Sequence, residues 1–406
     1  MRLFLGLCLA GCASAPSHSL EPGPSVAPAL VAAQAAPAAQ VHAPALEQPG
    51  IAPARGRAPA ADAPYGDDVR SVRFVKTTVL RKQPSSTADK VGVIARDARA
   101  RAEHAAPAGH GCATRWIEIA PRGWACEAAL APSAEEPTPP RAASLDDDDP
   151  GDQPTVPGVY GVVRGKDVPA FASRADARSG EHARVLTGAT SPDGAIVGEL
   201  APRTVVSIDE DAGDGAFVQV AEDGWVARAD LRIARRTAPP SGTTADDRWF
   251  DVDLDEQVLV AYEGDRPVYA TLVSTGKVAH RTPTSIARVV SKLASATMVS
   301  EKRERYSVAD VPWTMYYDHD FALHAAYWHD GFGDPRSHGC VNLAPRDARV
   351  LYQWSSPDVP PGWSAVYGDA DAPGSLVRVR SRDVPDPAFR GYARALQEHA
   401  TITASK

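Results

Sequence analysis

No run of about 20 apolar residues occurs anywhere in the chain, which excludes a transmembrane helix, since a helix needs roughly that length to cross the hydrocarbon layer. A basic excess is also missing. With 51 acidic against 43 basic residues the net charge is −8, so the chain has no electrostatic footprint for nucleic acid. Cysteine is scarce: the five are Cys8, Cys12, Cys112, Cys126 and Cys340. Their spacing matches no zinc-ligand set, and no other grouping makes a convincing metal site, so neither metal nor cofactor is expected. Cys340 has no neighbouring cysteine for a disulfide.

Proline is abundant instead, 36 residues concentrated toward the start, so a large part of the N-terminal region is not core material. At 406 residues two or three domains fit. Ala13–Pro64 is almost entirely Ala, Pro, Val, Gln and Gly with no periodicity, and reads as a disordered tether. About fifty such residues reach at most ~150 Å when extended and nearer ~40 Å as a relaxed coil. Residues 67–131 carry several short alternating segments (VRFVKTTVLRKQPSS, VGVIARDARARAEHAA, RWIEIAPRGWACEAALAP) and read as a small β-domain. A linker over 132–155 follows, with the acidic run Asp146–Asp149, which lacks calcium-loop spacing and reads as solvated chain. Residues 156–236 repeat the order of features: Gly224-Trp225-Val226 matches Gly123-Trp124-Ala125, and Arg228-Ala229-Asp230-Leu231 echoes Glu127-Ala128-Ala129-Leu130. A third unit spans 246–370, opening on alternating WFDVDLDEQVLVAYEGDRPVYATLVSTG with a turn at Glu263-Gly264-Asp265. Within it Ser285–Asp310 is charged and weakly periodic, suggesting a lid or insertion. Trp363–Tyr367 reads as the closing strand, and 371–406 as a tail with a helix-prone stretch around Phe389, Tyr392 and Leu396.

The chemistry concentrates in Phe321–Pro345, FALHAAYWHDGFGDPRSHGCVNLAP. A thiol becomes a nucleophile when a base and a local positive field hold it as thiolate, and a neighbouring glycine lets backbone N–H groups approach a developing oxyanion. Cys340, preceded by Ser337, His338 and Gly339 and by an upstream His324, has the parts of a Cys/His acyl-transfer site. The segment resembles the L,D-transpeptidase (YkuD) catalytic domain family, whose signature is a histidine, a variable loop, then [Ser/Thr]-His-Gly-Cys with Arg or Asn two residues on; Asn342 fills that last place. Ser274-Thr275-Gly276 and Thr282-Pro283-Thr284 fill the family's VSTG and Thr-Pro-Thr places, with Ser285 where glycine is common.

The two preceding units resemble bacterial SH3-like domains through Gly123-Trp124-Ala125 and Gly224-Trp225-Val226, so the two resemblances together imply a mainly β protein: two small SH3-like β-barrels, then a YkuD-type β-sandwich with short helices. The YkuD resemblance implies acyl transfer between peptidoglycan stem peptides, in which Cys340 attacks, D-alanine leaves, and a neighbouring stem's amine forms a 3→3 cross-link. The same nucleophile could instead attach a protein to the wall or hydrolyse such a link. A non-catalytic wall-binding protein is the reading from another class. In the enzyme reading Cys340 is nucleophile and His324 base, with the Ala325 carbonyl fixing the imidazole tautomer. Gly339 and Cys340 N–H bind the oxyanion. His338 shapes the loop and meets substrate, Ser337 supports the loop near substrate, Asn342 holds the loop and meets the stem's polar groups, and Tyr317 either lines the donor pocket or packs in the core. His329 competes with His324 for the role of base, and His319 lies nearby.

The start, Arg2 before Leu3–Ala10 and then Leu9-Ala10-Gly11-Cys12, resembles a bacterial lipoprotein signal with its lipobox. That implies lipidation of Cys12, anchoring by its acyl chains, and, with Ala13 following, the outer membrane facing the periplasm. In such an oxidising compartment Cys112 and Cys126 are expected to form a disulfide, two free buried thiols being the alternative. The SH3-like modules then bind wall material or act as spacers.

Overall fold

Alternation at a period of two dominates the chain after residue 64, and strands are what it forms. The computed structural model describes residues 64–139, 160–164, 167–179, 196–209, 215–220, 224–300 and 306–404. Cys12 with its lipobox, the tether up to residue 63 and the acidic run of the first linker lie outside the described residues. The protein is mainly β with few short helices. Among the described residues no helix is long and apolar enough to cross a membrane.

The third unit is built on the meander Arg248–Asp253, Val258–Glu263 and Arg266–Ser274. Leu376–Arg380 joins it parallel to Arg248–Asp253, and Ser285–Arg288 pairs with Leu376–Arg380 on the outside. At its far end Arg266–Ser274 passes hydrogen bonds to Val341–Leu343, which lies parallel to Phe321–Ala325. Tyr306–Asp318 and Ser291–Ser300 follow in order. Inward-facing residues of both halves, Phe250, Leu259, Val273, Met315, Leu323 and Val341 among them, meet in one core with the helix Pro345–Trp354. Pro345 starts that helix where its missing N–H costs nothing.

Three sequence expectations change here. Ser285–Asp310, weakly periodic in sequence, is largely strand where described: it supplies the sheet strand Ser285–Arg288, and Ser291–Ser300 pairs along a long hairpin with Tyr306–Asp318. Lys292 disguised it, a charged residue that is nonetheless fully buried, donating from Nζ to Pro357 O at 2.9 Å and to Ser355 O. Trp363–Tyr367 does not close the unit but pairs with Ser291–Leu293 on one side and with Lys90–Ile94 of the first module on the other. The strand that does close it, Leu376–Arg380, lies past the expected boundary at residue 370. Its arginines break the apolar run, yet Arg378 is buried on Asp251, Nε to Oδ1 at 2.6 Å, with its guanidinium 5.0 Å from the Trp249 ring centroid. The helix in the tail runs Gly391–Ala404.

The two preceding modules share a local plan: the strands Trp124–Cys126 and Gly224–Ala227 each run into one 3₁₀ turn, Glu127–Ala129 and Arg228–Asp230, and then into a last strand, Leu130–Ser133 and Leu231–Ala234. Each has its own apolar core, around Phe74, Leu80 and Ile117 in the first and Val163, Val226 and Ile233 in the second. In the first, Cys112 and Cys126 form a disulfide beside Trp116 and Trp124. Its sequence separation of 14 residues corresponds to a stabilisation of about 3 kcal/mol by restriction of the unfolded chain. The Cys112→Ala/Cys126→Ala variant is therefore expected to unfold at lower urea in its tryptophan fluorescence, and an unmoved midpoint would show that the cross-link constrains nothing.

Candidate active site

The register of two parallel strands assembles the site. Leu323 pairs with Val341 and His324 with Asn342. Cys340 stands one residue before Val341, and the backbone N–H of Ala322, two residues before His324, hydrogen-bonds to it. Diagonal neighbours across two strands lie roughly 7–8 Å apart at the backbone, within reach of a cysteine and an imidazole.

His324 is 2% exposed. Its Nδ1 lies 3.0 Å from Ala325 O, and a carbonyl only accepts, so Nδ1 carries the proton and Nε2 is the basic nitrogen. Burial, with a smaller contribution from His329, lowers its pKa to about 4, against the Ala325 hydrogen bond, which favours the charged form. The imidazole is neutral at physiological pH. Trp328, partly exposed, lies over this histidine with ring centroids 5.8 Å apart.

Cys340 is the single free thiol among the described residues. Its Sγ donates to Asp320 O at 3.6 Å. Burial raises its pKa to about 11; the Ala322 N–H favours the thiolate and the Asp320 carboxylate opposes it. The expectation of a positive field holding a thiolate therefore fails: the nearest charge is negative. Thiol and imidazole are both neutral at physiological pH. Alkylation of Cys340 by iodoacetamide, which reports thiolate, is expected to be slow at pH 7 and to rise with pH towards about 11. An inflection between pH 6 and 8 in the mass-spectrometric rate would show an ion pair instead.

The Ser337–Cys340 loop is held from inside. Ser337 Oγ accepts from Gly339 N–H at 3.0 Å and donates to Cys340 O. Gly339 stands at φ +124, and a Cβ there would come 2.6 Å from Phe321 Cε1, so only glycine fits. Thr282 Oγ1 donates to Gly339 O at 2.8 Å and accepts from Gly276 N–H at 2.9 Å. Two expectations are revised. The Gly339 N–H is engaged by Ser337 and is no oxyanion donor in this conformation. Cys340 N–H remains: it makes no backbone hydrogen bond among the described residues, and Thr282 fixes its direction by gripping the carbonyl across the same peptide. Ser337, 7% exposed, has its hydroxyl occupied by the loop rather than turned to a substrate.

His338 is exposed with its ring against His280, centroids 4.8 Å apart. His329 Nε2 lies 3.0 Å from Asn342 Nδ2, which donates to it, so the base nitrogen of this competing histidine is occupied. Asn342 Oδ1, His329 Nδ1 and the buried Tyr317 hydroxyl have no protein partner among the described residues. Burial, with Cys340 nearby, pushes the Tyr317 phenol well above its usual range. His319 Nδ1 pairs with Asp318 at 2.7 Å. Sequence reasoning gave no role to Thr282 or to Gln257, whose amide takes Thr275 N–H at 2.8 Å and donates to Thr275 Oγ1 at 2.6 Å, stiffening the Ser274–Gly276 strand end. Polar residues in signature positions before the nucleophile were the available signal. Among the described residues the one group spaced so that it could hold a metal ion, Glu103, His104 and Glu118, belongs to the first module, where His104 Nδ1 lies 2.6 Å from Glu118 Oε2.

Residues 247–379 match the family model of YkuD, the L,D-transpeptidase catalytic domain. The match makes residues 247–379 the part of the chain that resembles an L,D-transpeptidase catalytic domain. Among solved structures the chain is similar to an Enterococcus faecium L,D-transpeptidase, at 23% identity over 33% of this chain and 50% of that one, TM-score 0.27. It is similar to an L,D-transpeptidase of Stackebrandtia nassauensis at 26% identity over 34% and 57%, TM-score 0.26. A third, from Mycobacterium smegmatis, is 17% identical over 56% of this chain and 98% of that one, TM-score 0.28. The chain spans about half the length of the first two. No curated protein matches it in sequence.

Proposed function

We propose that the protein is a peptidoglycan L,D-transpeptidase that forms 3→3 cross-links through a thioester on Cys340. The observation that supports this reading is the parallel pairing of His324 with Asn342, two residues after Cys340, with His324 Nδ1 bound to Ala325 O, inside the stretch that matches the YkuD domain. Cys340 Sγ attacks the carbonyl of the third stem residue, a diaminopimelate at its L-centre, while His324 Nε2 takes the thiol proton. Cys340 N–H faces the oxyanion. The tetrahedral intermediate collapses, the proton passes from His324 to the departing D-alanine amine, and a thioester remains. The side-chain amine of a neighbouring stem then attacks the thioester, gives its proton to His324 and restores the thiol. Asn342 Oδ1, unpartnered and buried, meets a donor N–H of the stem.

In this reading Cys12 carries the lipid that anchors the chain to the outer membrane, facing the periplasm. The tether lifts the folded part towards the wall, and the two modules are SH3-like units that bind wall material or space the domain from the membrane. Incubation with a disaccharide tetrapeptide, followed by mass spectrometry, is expected to show loss of D-alanine and a dimer, both absent with Cys340→Ala. Loss of D-alanine without dimer would direct the acyl group to water or another acceptor. No product from folded protein would remove the reading.

A further inference from the structure

The loop between His324 and Cys340 is gripped by a part of the chain outside the transpeptidase domain. Arg232, on the last strand of the second module, has a side chain only 15% exposed. It donates from Nε to Gly333 O at 2.8 Å and from Nη2 to Asp334 Oδ1 at 3.2 Å. Arg164 Nη2 reaches the same carboxylate oxygen at 2.8 Å. Arg203 Nη2 donates to Asp330 O at 2.6 Å and faces its carboxylate at 3.3 Å. From the other side, Gly333 N–H donates to Val273 O at 2.8 Å, and the Arg336 and Ser337 N–H groups both donate to Thr275 O, at 2.9 and 3.0 Å. Gly333 stands at φ +99, a conformation that fixes the path of the loop there. The loop is thus clasped between the second module and the Ser274–Gly276 strand end. The module is seated firmly: Ile233 N–H donates to the buried Glu256 carboxylate at 3.1 Å, and Val162 and Ala234 pack with Trp249 and Tyr262.

We infer that Arg232, supported by Arg164 and Arg203, is a positioning residue for the Cys340 site, and that the second module sets the shape of the loop on which an acyl donor is held. This deepens the transpeptidase reading and rests on it. Exposed ion pairs contribute little by themselves, which makes Arg203 secondary. Arg232 differs because it is largely buried and its planar fork spans a backbone carbonyl and a carboxylate at once, a geometry that lysine does not reproduce. The path from fork to chemistry is short. The same loop carries His329, which accepts from Asn342, and runs through Arg336 into Ser337 and Cys340. A small shift of that loop moves donor-holding groups relative to the sulfur, and reactions that depend on a near-attack geometry are sensitive to such shifts.

The test compares two reagents on the intact protein, with wild type, Arg232→Ala, Arg232→Lys and Arg164→Ala side by side. A carbapenem must be positioned to acylate Cys340, whereas iodoacetamide at pH 9 needs only an accessible thiol. Carbapenem acylation of Arg232→Ala, followed by intact mass, is expected to fall by about 10- to 100-fold, with Arg232→Lys only partly restored. Arg164→Ala, which removes one ligand of Asp334 from a half-exposed position, is expected to fall less. Alkylation by iodoacetamide, which needs no held donor geometry, is expected to stay within about twofold throughout. Equal acylation in all four proteins overturns the inference. So does a parallel loss of acylation and alkylation, which would make the arginines stability residues. Wild-type protein that alkylates but resists the carbapenem overturns the transpeptidase reading itself, and the inference with it.

Discussion

His324→Gln is expected to slow acylation of Cys340 by a stem peptide or a carbapenem by about 10²–10⁴-fold, the usual contribution of a positioned general base. The size follows from the resting state of the pair. With the thiol near 11 and the imidazole near 4, neither group is ionised at neutral pH. The thiolate fraction at pH 7 is then roughly one part in 10⁴, and attack depends on a base that takes the proton as the C–S bond forms. Glutamine keeps a side-chain donor that can reach Ala325 O but lacks the basic nitrogen. His329→Gln is expected to change the rate far less, since its Nε2 is already taken by the Asn342 amide. Pre-steady-state mass spectrometry of acyl-enzyme formation separates the two. A His324 variant as fast as wild type, beside a slow His329 variant, would reverse the assignment.

Asp251→Ala is expected to destabilise the catalytic domain by about 3–5 kcal/mol, the cost of leaving a buried charge unpaired. Asp251 is 1% exposed and accepts from Arg378 Nε at 2.6 Å and from Arg380 Nε at 2.9 Å. Both arginines lie on Leu376–Arg380, the strand that completes the sheet beside Arg248–Asp253. Arg380 keeps Asp253, 2.9 Å away, but Arg378 would be left with only the carbonyl of Ala238 and the hydroxyl of Thr237. Urea denaturation measures the loss. A change below about 1 kcal/mol would place the pair among the ion pairs that contribute little. Because Leu376–Arg380 lies far from Cys340 in the chain and the sheet, the folded fraction should keep its acylation rate.

The same arginines show where the sequence was opaque. Period-two alternation exposes Arg248–Asp253, Val258–Glu263 and Phe321–Ala325, whose buried residues are mostly apolar, and Glu263-Gly264-Asp265 marks the turn after the second. It hides Leu376–Arg380 and Ser291–Ser300, whose inward positions include Arg378 and Lys292, because a buried charge with partners looks in sequence like a solvated one. Cys340 and His324 stood out as candidates because the loop signature brackets them. The state of the thiol was not legible, for it depends on the Asp320 backbone and on burial, neither of which leaves a pattern near Cys340. Nor was the engagement of Gly339 N–H by Ser337, a two-residue hydrogen bond that forms only once the loop is folded. The clasp of Arg164, Arg203 and Arg232 on the loop joins residues more than a hundred positions apart, and no local reading reaches it.

The central claim is that Cys340 is an acyl-accepting nucleophile. Peptide mapping after incubation with a carbapenem tests it most directly. The predicted result is a carbapenem adduct confined to the Cys340 peptide and absent from Cys340→Ala. A folded protein whose Cys340 takes iodoacetamide at high pH yet gains no carbapenem mass would contradict it.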